Sequence, residues 1–193
     1  MIFDDGVARL ARLRLAKVSS PLVEARNYIL RSKVATMVFP RTQTRVPVPE
    51  VFDWAAESDP ENEVGTGYIL MEKREGKPLD WQQLTEEQEE KVVQQLADAL
   101  LELEGHPFGR VGFIMSPESD NTRFEVQGIA HHSTFDMTEA GGQPLGPSDS
   151  SVGAARAVVE YYLDMIARGE VGTDYLEEIS LAHRFRLGTI DEI

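Results

Sequence analysis

Two arginines lie two residues apart in a short run of alternating apolar and basic residues, Leu10-Ala11-Arg12-Leu13-Arg14. Alternation with a period of two predicts a β-strand, which would place Arg12 and Arg14 on the same face. An arginine side chain stays charged and can donate two parallel hydrogen bonds, which suits it to phosphate groups. The run therefore predicts either a phosphate-binding strand or a solvated arginine on a half-buried strand.

A further basic residue, Lys33, falls on a helix predicted over residues 21–39, where apolar residues recur near helical spacing. Ser20 and Pro21 are expected to start this helix and Pro40 to end it. Lys33 and Arg12 would repel each other if both pointed inward.

Other catalytic patterns are weak in this chain. His131 and His132, with Asp136 and Glu139 after them, have ligand types that suit a metal ion, but their glycine-rich surroundings predict a surface loop. The chain contains neither a G-x-S-x-G nucleophile motif nor a G-x-x-x-x-G-K-[ST] phosphate loop.

The elements that must position the basic residues are short strands and longer helices. Strands are predicted at 7–15, 51–54 and 68–71, with a tight turn at 4–6 and an exposed loop at 55–66.

The helix predicted over residues 85–104 has the strongest pattern. Thr85 and Gln88 form a capping-box pair, Gly105 follows the helix, and an apolar stripe runs along one face. Two further helices are predicted at 151–168 and 174–187, and residues 113–148 are predicted to be irregular.

This order of elements resembles the aminoglycoside phosphotransferase family, small-molecule kinases with a protein-kinase-like fold, and in particular its fungal branch. The likeness is carried by Val46-Pro47-Val48-Pro49-Glu50-Val51, by the strand 68–72, by the turn 76–79, and by the helical segments 30–37 and 94–100. The resemblance implies an α+β, partial protein-kinase-like fold. It implies a small-lobe remnant at 4–71, a hinge at 72–80 and the first helices of a helical large lobe at 81–193.

The resemblance also implies a nucleotide site. Arg12 stands where the family has the basic residue that neutralises nucleotide phosphates, with Arg14, on the same face, as the alternative register. Lys33 stands where the partner glutamate is expected, so it would either turn outward or contact a phosphate itself. The hinge backbone at Met71, Glu72 and Lys73 would recognise adenine. Complete relatives would use ATP and Mg²⁺ to phosphorylate a small-molecule hydroxyl.

The family's catalytic residues are not found. Its catalytic loop needs an aspartate two residues after a histidine, and the metal-binding aspartate and glycine-rich loop are also missing. At that spacing the four histidines are followed by Phe108, Ser133, Thr134 and Phe185. We therefore expect an incomplete family member that is inactive alone. The alternative is a non-catalytic binding or interaction module that self-associates or pairs through exposed apolar helix faces.

Composition limits the partners. The chain has 193 residues and a formal net charge of −14, which argues against binding to nucleic acid or to an anionic membrane. It has no cysteine, and its first residues lack the basic and apolar regions of a signal peptide. The expected location is cytoplasmic, and the expected partners are a nucleotide and either a second copy or another protein.

Overall fold

The computed structural model describes residues 8–14, 20–117, 122–130, 144–169 and 176–191. Strands and helices are both present and the sheets are antiparallel, so the predicted α+β class is confirmed. The turn predicted at 4–6 and the residues His131, His132, Asp136 and Glu139 lie outside the described residues.

A three-stranded antiparallel sheet contains the arginine strand. Strands β1 (Arg9–Leu13) and β2 (Val51–Ala55) both pair with a central β3 (Tyr68–Glu72). Arg12 lies opposite Ile69 in the β1–β3 register. All three strands occur where alternating or apolar runs predicted them.

The first helix, α1 (Val23–Gln43), packs against this sheet. Its Leu30 and Val34 form a core with Ala56, Ile69 and Met71. Burial of such side chains is the main favourable contribution to folding. This core fixes α1 across the sheet, close to the strand that carries the arginines.

The prediction that Pro40 ends α1 is wrong, because the helix continues through Pro40 to Gln43. Proline has no N–H to donate and normally breaks a helix. Here the hydroxyl groups of Thr42 and Thr44 donate to the carbonyls of Val38 and Pro40, at 2.9 and 2.6 Å. The Pro40 carbonyl also accepts from the Thr44 N–H at 3.1 Å, so the last turn keeps its backbone hydrogen bond and the two hydroxyl bonds add to it.

Helix α2 (Glu86–Glu104) begins as its capping pair predicts. The Gln88 N–H donates to the Thr85 hydroxyl at 3.3 Å, and the Thr85 N–H donates to the Gln88 side-chain oxygen at 3.0 Å. None of its residues is buried. The apolar stripe predicted for this helix is therefore present but exposed to solvent.

The segment predicted to be irregular contains a small antiparallel hairpin, so that prediction is wrong in part. Strands β4 (Phe113–Met115) and β5 (Glu125–Gln127) are three residues each, which is too short to give a clear alternation in sequence. Gly112 permits the close approach, because a Cβ atom there would lie 2.0 Å from the Gln127 carbonyl oxygen. The hairpin packs against α1, where the Tyr28 hydroxyl donates to the Gly128 carbonyl at 2.6 Å.

The last two helices, α3 (Ser151–Ala167) and α4 (Leu176–Asp191), pack against each other. Both occur close to their predicted positions. Among the described residues, no helix is both long enough and apolar enough to cross a membrane.

Candidate functional site: a basic pocket between β1 and α1

A pocket of about 390 Å³ lies between β1, β3 and α1, and most of its polar lining is basic. Arg12 and Lys33 both line it, so the structure brings together two of the residues predicted from sequence. The pocket-lining residues are Arg12, Leu13, Arg14, Arg26, Leu30, Lys33, Gly67 and Ile69.

Local geometry explains why these side chains meet. Arg12 lies on β1, and Arg14 follows the last residue of this strand, where its N–H donates to the Gly67 carbonyl at 3.0 Å, so the two side chains, two residues apart, project to the same face. Arg26 and Lys33 are seven residues apart on α1, which is nearly two helical turns, so they also share a face. The core contact between Leu30 and Ile69 brings the two faces together.

Arg26 is the pocket residue that sequence reasoning missed. The spacing of seven residues between Arg26 and Lys33 was a usable signal, because it places two basic residues on one side of α1. In the structure, the Arg26 Nε donates to the Glu57 carboxylate at 2.9 Å. This ion pair holds Arg26 in place and offsets its charge.

The other three basic side chains have no comparable partner. Arg12, Arg14 and Lys33 make no ion pair with any residue in the described part of the chain. Three unpaired cations around one pocket repel each other, which destabilises the fold unless an anion binds there. In a chain whose net charge is −14, this local concentration of positive charge would attract an anion.

The positive charge around the pocket affects the pKa of Lys33. Burial, together with the charges of Arg12 and Arg14, lowers the pKa of its ammonium group below the ordinary value. A bound anion would reverse the charge contribution, because it stabilises the protonated ammonium. Lys33 is thus placed to contact an anion, one of the two orientations left open by the sequence.

Asn27, next to Arg26 on α1, forms hydrogen bonds with Glu57 and Ser58, which follow β2. Its amide nitrogen donates to the Ser58 hydroxyl at 2.6 Å, and its side-chain oxygen accepts from the Glu57 N–H at 3.0 Å. Asn27 is buried, so losing either bond would leave a polar group without a partner. Asn27 therefore fixes the backbone of Glu57, which in turn holds Arg26.

The predicted hinge residues lie outside this pocket. Met71 is buried in the core, two positions along β3 from Ile69. The N–H groups of Glu72 and Lys73 donate to the carbonyls of Glu50 and Ala8, at 2.8 and 3.2 Å. These two N–H groups could bind adenine only by giving up their hydrogen bonds in the sheet. Adenine recognition by this segment stays a prediction.

The pocket suits a phosphate better than a metal ion. Mg²⁺ is held by oxygen ligands, mainly carboxylates and water. No Asp or Glu is among the described residues that line the pocket, and the Glu57 carboxylate is paired with the pocket residue Arg26. Among the described residues, no three His, Cys, Asp or Glu side chains come together in a way that could hold a metal ion. The lining of the pocket therefore does not fit Mg²⁺.

Comparison with known proteins gives a partial match to two longer proteins. Both are described as subtelomeric hrmA-associated cluster proteins, from two strains of Aspergillus fumigatus. Each is 39% identical to this chain over 93 residues, which are 47% of this chain and 18% of the relative. The matched segment is thus less than a fifth of the relatives' length, and their names state neither a ligand nor a reaction.

No protein-family model matches the chain, and no solved structure matches it.

Proposed function

We propose that this chain is a phosphate-binding module related to the aminoglycoside phosphotransferases, and that its basic pocket binds the polyphosphate of a nucleotide such as ATP. The observation that carries the proposal is the convergence of Arg12, Arg14 and Lys33 on one pocket, where none of the three forms an ion pair with a described residue. The guanidinium groups would each donate two hydrogen bonds to phosphate oxygens, and the ammonium would add a point charge.

The order of elements supports a relationship to the kinases. The strand that carries Arg12 is followed by the helix that carries Lys33 and then by two strands that lead to the predicted hinge. Under this proposal, residues 4–71, 72–80 and 81–193 correspond to a small lobe, a hinge and part of a large lobe. Lys33 replaces the glutamate expected on that helix, so it would contact phosphate directly instead of pairing with the strand's basic residue.

The same proposal holds that this chain binds phosphate without transferring it. Phosphoryl transfer needs a group that orients the acceptor and a divalent metal that neutralises the developing charge. At the spacing of the family's catalytic loop, the described His106 and His183 are followed by Phe108 and Phe185 and not by the aspartate that would orient the acceptor. We expect no Mg²⁺-dependent hydrolysis or transfer of the ATP γ-phosphate by the 193-residue chain.

Equilibrium binding measurements test the proposal. Titration calorimetry at low ionic strength, where screening is weak, would compare ATP, inorganic tripolyphosphate and adenosine as ligands. We expect ATP and tripolyphosphate to bind and adenosine to bind far more weakly. Arg12→Gln and Lys33→Gln should each weaken ATP binding by about tenfold, since a hydrogen bond to a charged group contributes roughly 1.5 kcal/mol or more.

Lys91→Gln is the matched control. Lys91 is an exposed cation on α2, outside the pocket, so its loss changes the net charge by the same amount and should leave binding unchanged. Equal affinities for ATP and adenosine, or equal weakening by Lys91→Gln and Arg12→Gln, would contradict the proposal. Rapid Mg²⁺-dependent ATP turnover would contradict the absence of transfer.

A further inference from the structure

The charges that line the basic pocket are unbalanced. Arg12, Arg14 and Lys33 line it, and none of them forms an ion pair with a described residue. Arg26, the fourth basic residue of the lining, is neutralised by the Glu57 carboxylate. A ligand in the pocket therefore meets the uncompensated positive charges of the first three side chains.

Both oxygens of the Glu57 carboxylate are used by Arg26. Glu57 Oε2 accepts from the Arg26 Nε at 2.9 Å, and Glu57 Oε1 accepts from the Arg26 Nη2 at 2.5 Å. These hydrogen bonds lower the pKa of the Glu57 carboxyl, so it stays ionised and paired with Arg26. No Asp or Glu is among the described residues that line the pocket. The described lining thus gives a divalent cation repulsion and no carboxylate ligand.

A divalent metal changes the charge that a polyphosphate carries. A metal-free triphosphate has about four negative charges above its last pKa, with the largest share on the terminal phosphate. Bound Mg²⁺ lowers this charge to about two and lies against the β and γ oxygens, which guanidinium groups would otherwise contact. The unpaired cations of the pocket therefore match the metal-free triphosphate better than they match its Mg²⁺ complex.

We propose that the basic pocket selects the metal-free form of a polyphosphate, and that Mg²⁺ weakens this binding instead of supporting it. The inference rests on the proposed function, because it concerns the form of the ligand that the same pocket takes. Arg12, Arg14 and Lys33 replace the charge neutralisation that a divalent metal supplies in phosphoryl transfer. The ammonium of Lys33 is close enough to both arginines for their charges to act on it, so the three cations act together on one ligand.

Equilibrium dialysis of ATP against the whole chain tests this selectivity. The buffer contains either EDTA or excess Mg²⁺, and NaCl keeps the ionic strength equal and low in both. We expect ATP to bind at least about tenfold more weakly with Mg²⁺ than with EDTA, because the ligand then carries about half the negative charge. Inorganic tripolyphosphate should also bind more weakly with Mg²⁺, since the polyphosphate and not the adenine carries the effect.

Lys33→Glu tests whether the pocket is the source of the selectivity. The substitution removes one cation and places a carboxylate beside Arg12 and Arg14. With EDTA, ATP should bind this variant at least about tenfold more weakly than it binds wild type, and Mg²⁺ should then make little difference. Lys33 is exposed, so the substitution leaves the core intact.

Lys91→Glu is the matched control, because it changes the net charge by the same amount at an exposed position of α2 outside the pocket. It should keep the wild-type affinity with EDTA and the wild-type loss with Mg²⁺. A Mg²⁺ effect that is equally large in Lys33→Glu and Lys91→Glu would overturn the assignment of the selectivity to the pocket.

The wild-type measurement separates this inference from the proposed function. Equal or tighter binding of ATP with Mg²⁺ would overturn the inference alone, because the proposed function requires only that ATP binds. ATP that binds in neither buffer would overturn the proposed function, and the inference with it.

Discussion

Lys33 is a lysine at the position where the aminoglycoside phosphotransferases, which the sequence resembles, are expected to have a glutamate. A glutamate there would pair with Arg12 and neutralise it. Lysine instead adds to the charge of Arg12 and Arg14, and the pKa of Lys33 falls through burial and through those two charges. Under the proposed function, this change of charge sign makes Arg12 part of an anion-binding pocket instead of a paired strand arginine.

His183 is a second residue whose environment has a measurable consequence. Burial, followed by the charge of Arg186, lowers the pKa of its imidazole below 6.5. Its Nδ1 atom is buried and has no hydrogen-bond partner among the described residues. Protonation would place an N–H at that atom without an acceptor, so the folded state favours the neutral ring.

This environment predicts a pH-dependent stability. The unfolded chain binds a proton at His183 more readily than the folded chain does, so the free energy of unfolding should fall as pH drops from about 7.5 to about 5.5. The stabilisation is present above the unfolded pKa and is lost as pH falls through the folded one. Because the ring is half-exposed, we expect a loss below about 1 kcal/mol.

Urea denaturation of wild type and His183→Gln at the two pH values measures the effect. Other groups titrate in both proteins, so the difference between the two pH dependences isolates His183. Identical pH dependences in wild type and variant would show that the imidazole has the same pKa in the folded and unfolded chains.

At the scale of elements, helix ends are set by local hydrogen bonds. The start of α2 follows its capping pair. In α1, Pro40 lies in the last turn and its carbonyl accepts from the Thr44 N–H at 3.1 Å, so the helix runs to Gln43, four residues beyond the predicted end at 39. A rule that considers only the proline ring therefore ends this helix too early.

Thr85→Ala should unravel the first turn of α2. It removes the hydroxyl that accepts from the Gln88 N–H and should cost about 1 kcal/mol of helix stability. None of the α2 residues is buried, so the loss should appear locally and not as a large change in global stability. Amide hydrogen exchange at residues 86–90 should accelerate by about fivefold.

Thr85→Ser is the matched control, because serine keeps the capping hydroxyl and should preserve the wild-type exchange rates. Equal acceleration in both variants would mean that the methyl group of Thr85, and not its hydroxyl, stabilises the helix start.

At the scale of the whole molecule, the strands and helices that pack together form two groups. The sheet, α1 and the β4–β5 hairpin pack together, and α3 packs with α4. The two groups are linked by the backbone bridge between Val111 and Ser148 and by the hydrogen bond from Arg110 to the Pro147 carbonyl. Their buried side chains form separate clusters, so we expect the groups to unfold with different stabilities.

Paired core substitutions test this division. Ile69 is 1% exposed in the sheet and Met165 is 0% exposed in α3. Truncation of either to alanine should destabilise its own group by about 2–5 kcal/mol. In hydrogen exchange followed by mass spectrometry, Ile69→Ala should accelerate β1 to β3 more than α3 and α4, and Met165→Ala should do the reverse.

Val64→Ala, at an exposed loop position, should change neither group. Equal acceleration of the sheet and of α3 by both core variants would show that the chain unfolds as one cooperative unit.

The amino-acid sequence by itself determined the local features of this protein. The alternation around Arg12 gave the strand, and the Thr85–Gln88 pair gave the start of α2, because both depend on residues only a few positions apart. The sequence also identified Arg12 and Lys33 as candidates for phosphate contact, while leaving the orientation of Lys33 open.

Tertiary structure alone decided which of these residues meet. Arg26 joins Arg12 and Lys33 only because the contact between Leu30 and Ile69 sets α1 across the sheet. The apolar stripe of α2 was evident in the sequence, but its exposure depends on how the other elements pack. Pockets and exposed faces arise from contacts between distant parts of the chain, and those contacts depend on the whole packed arrangement instead of on local spacing.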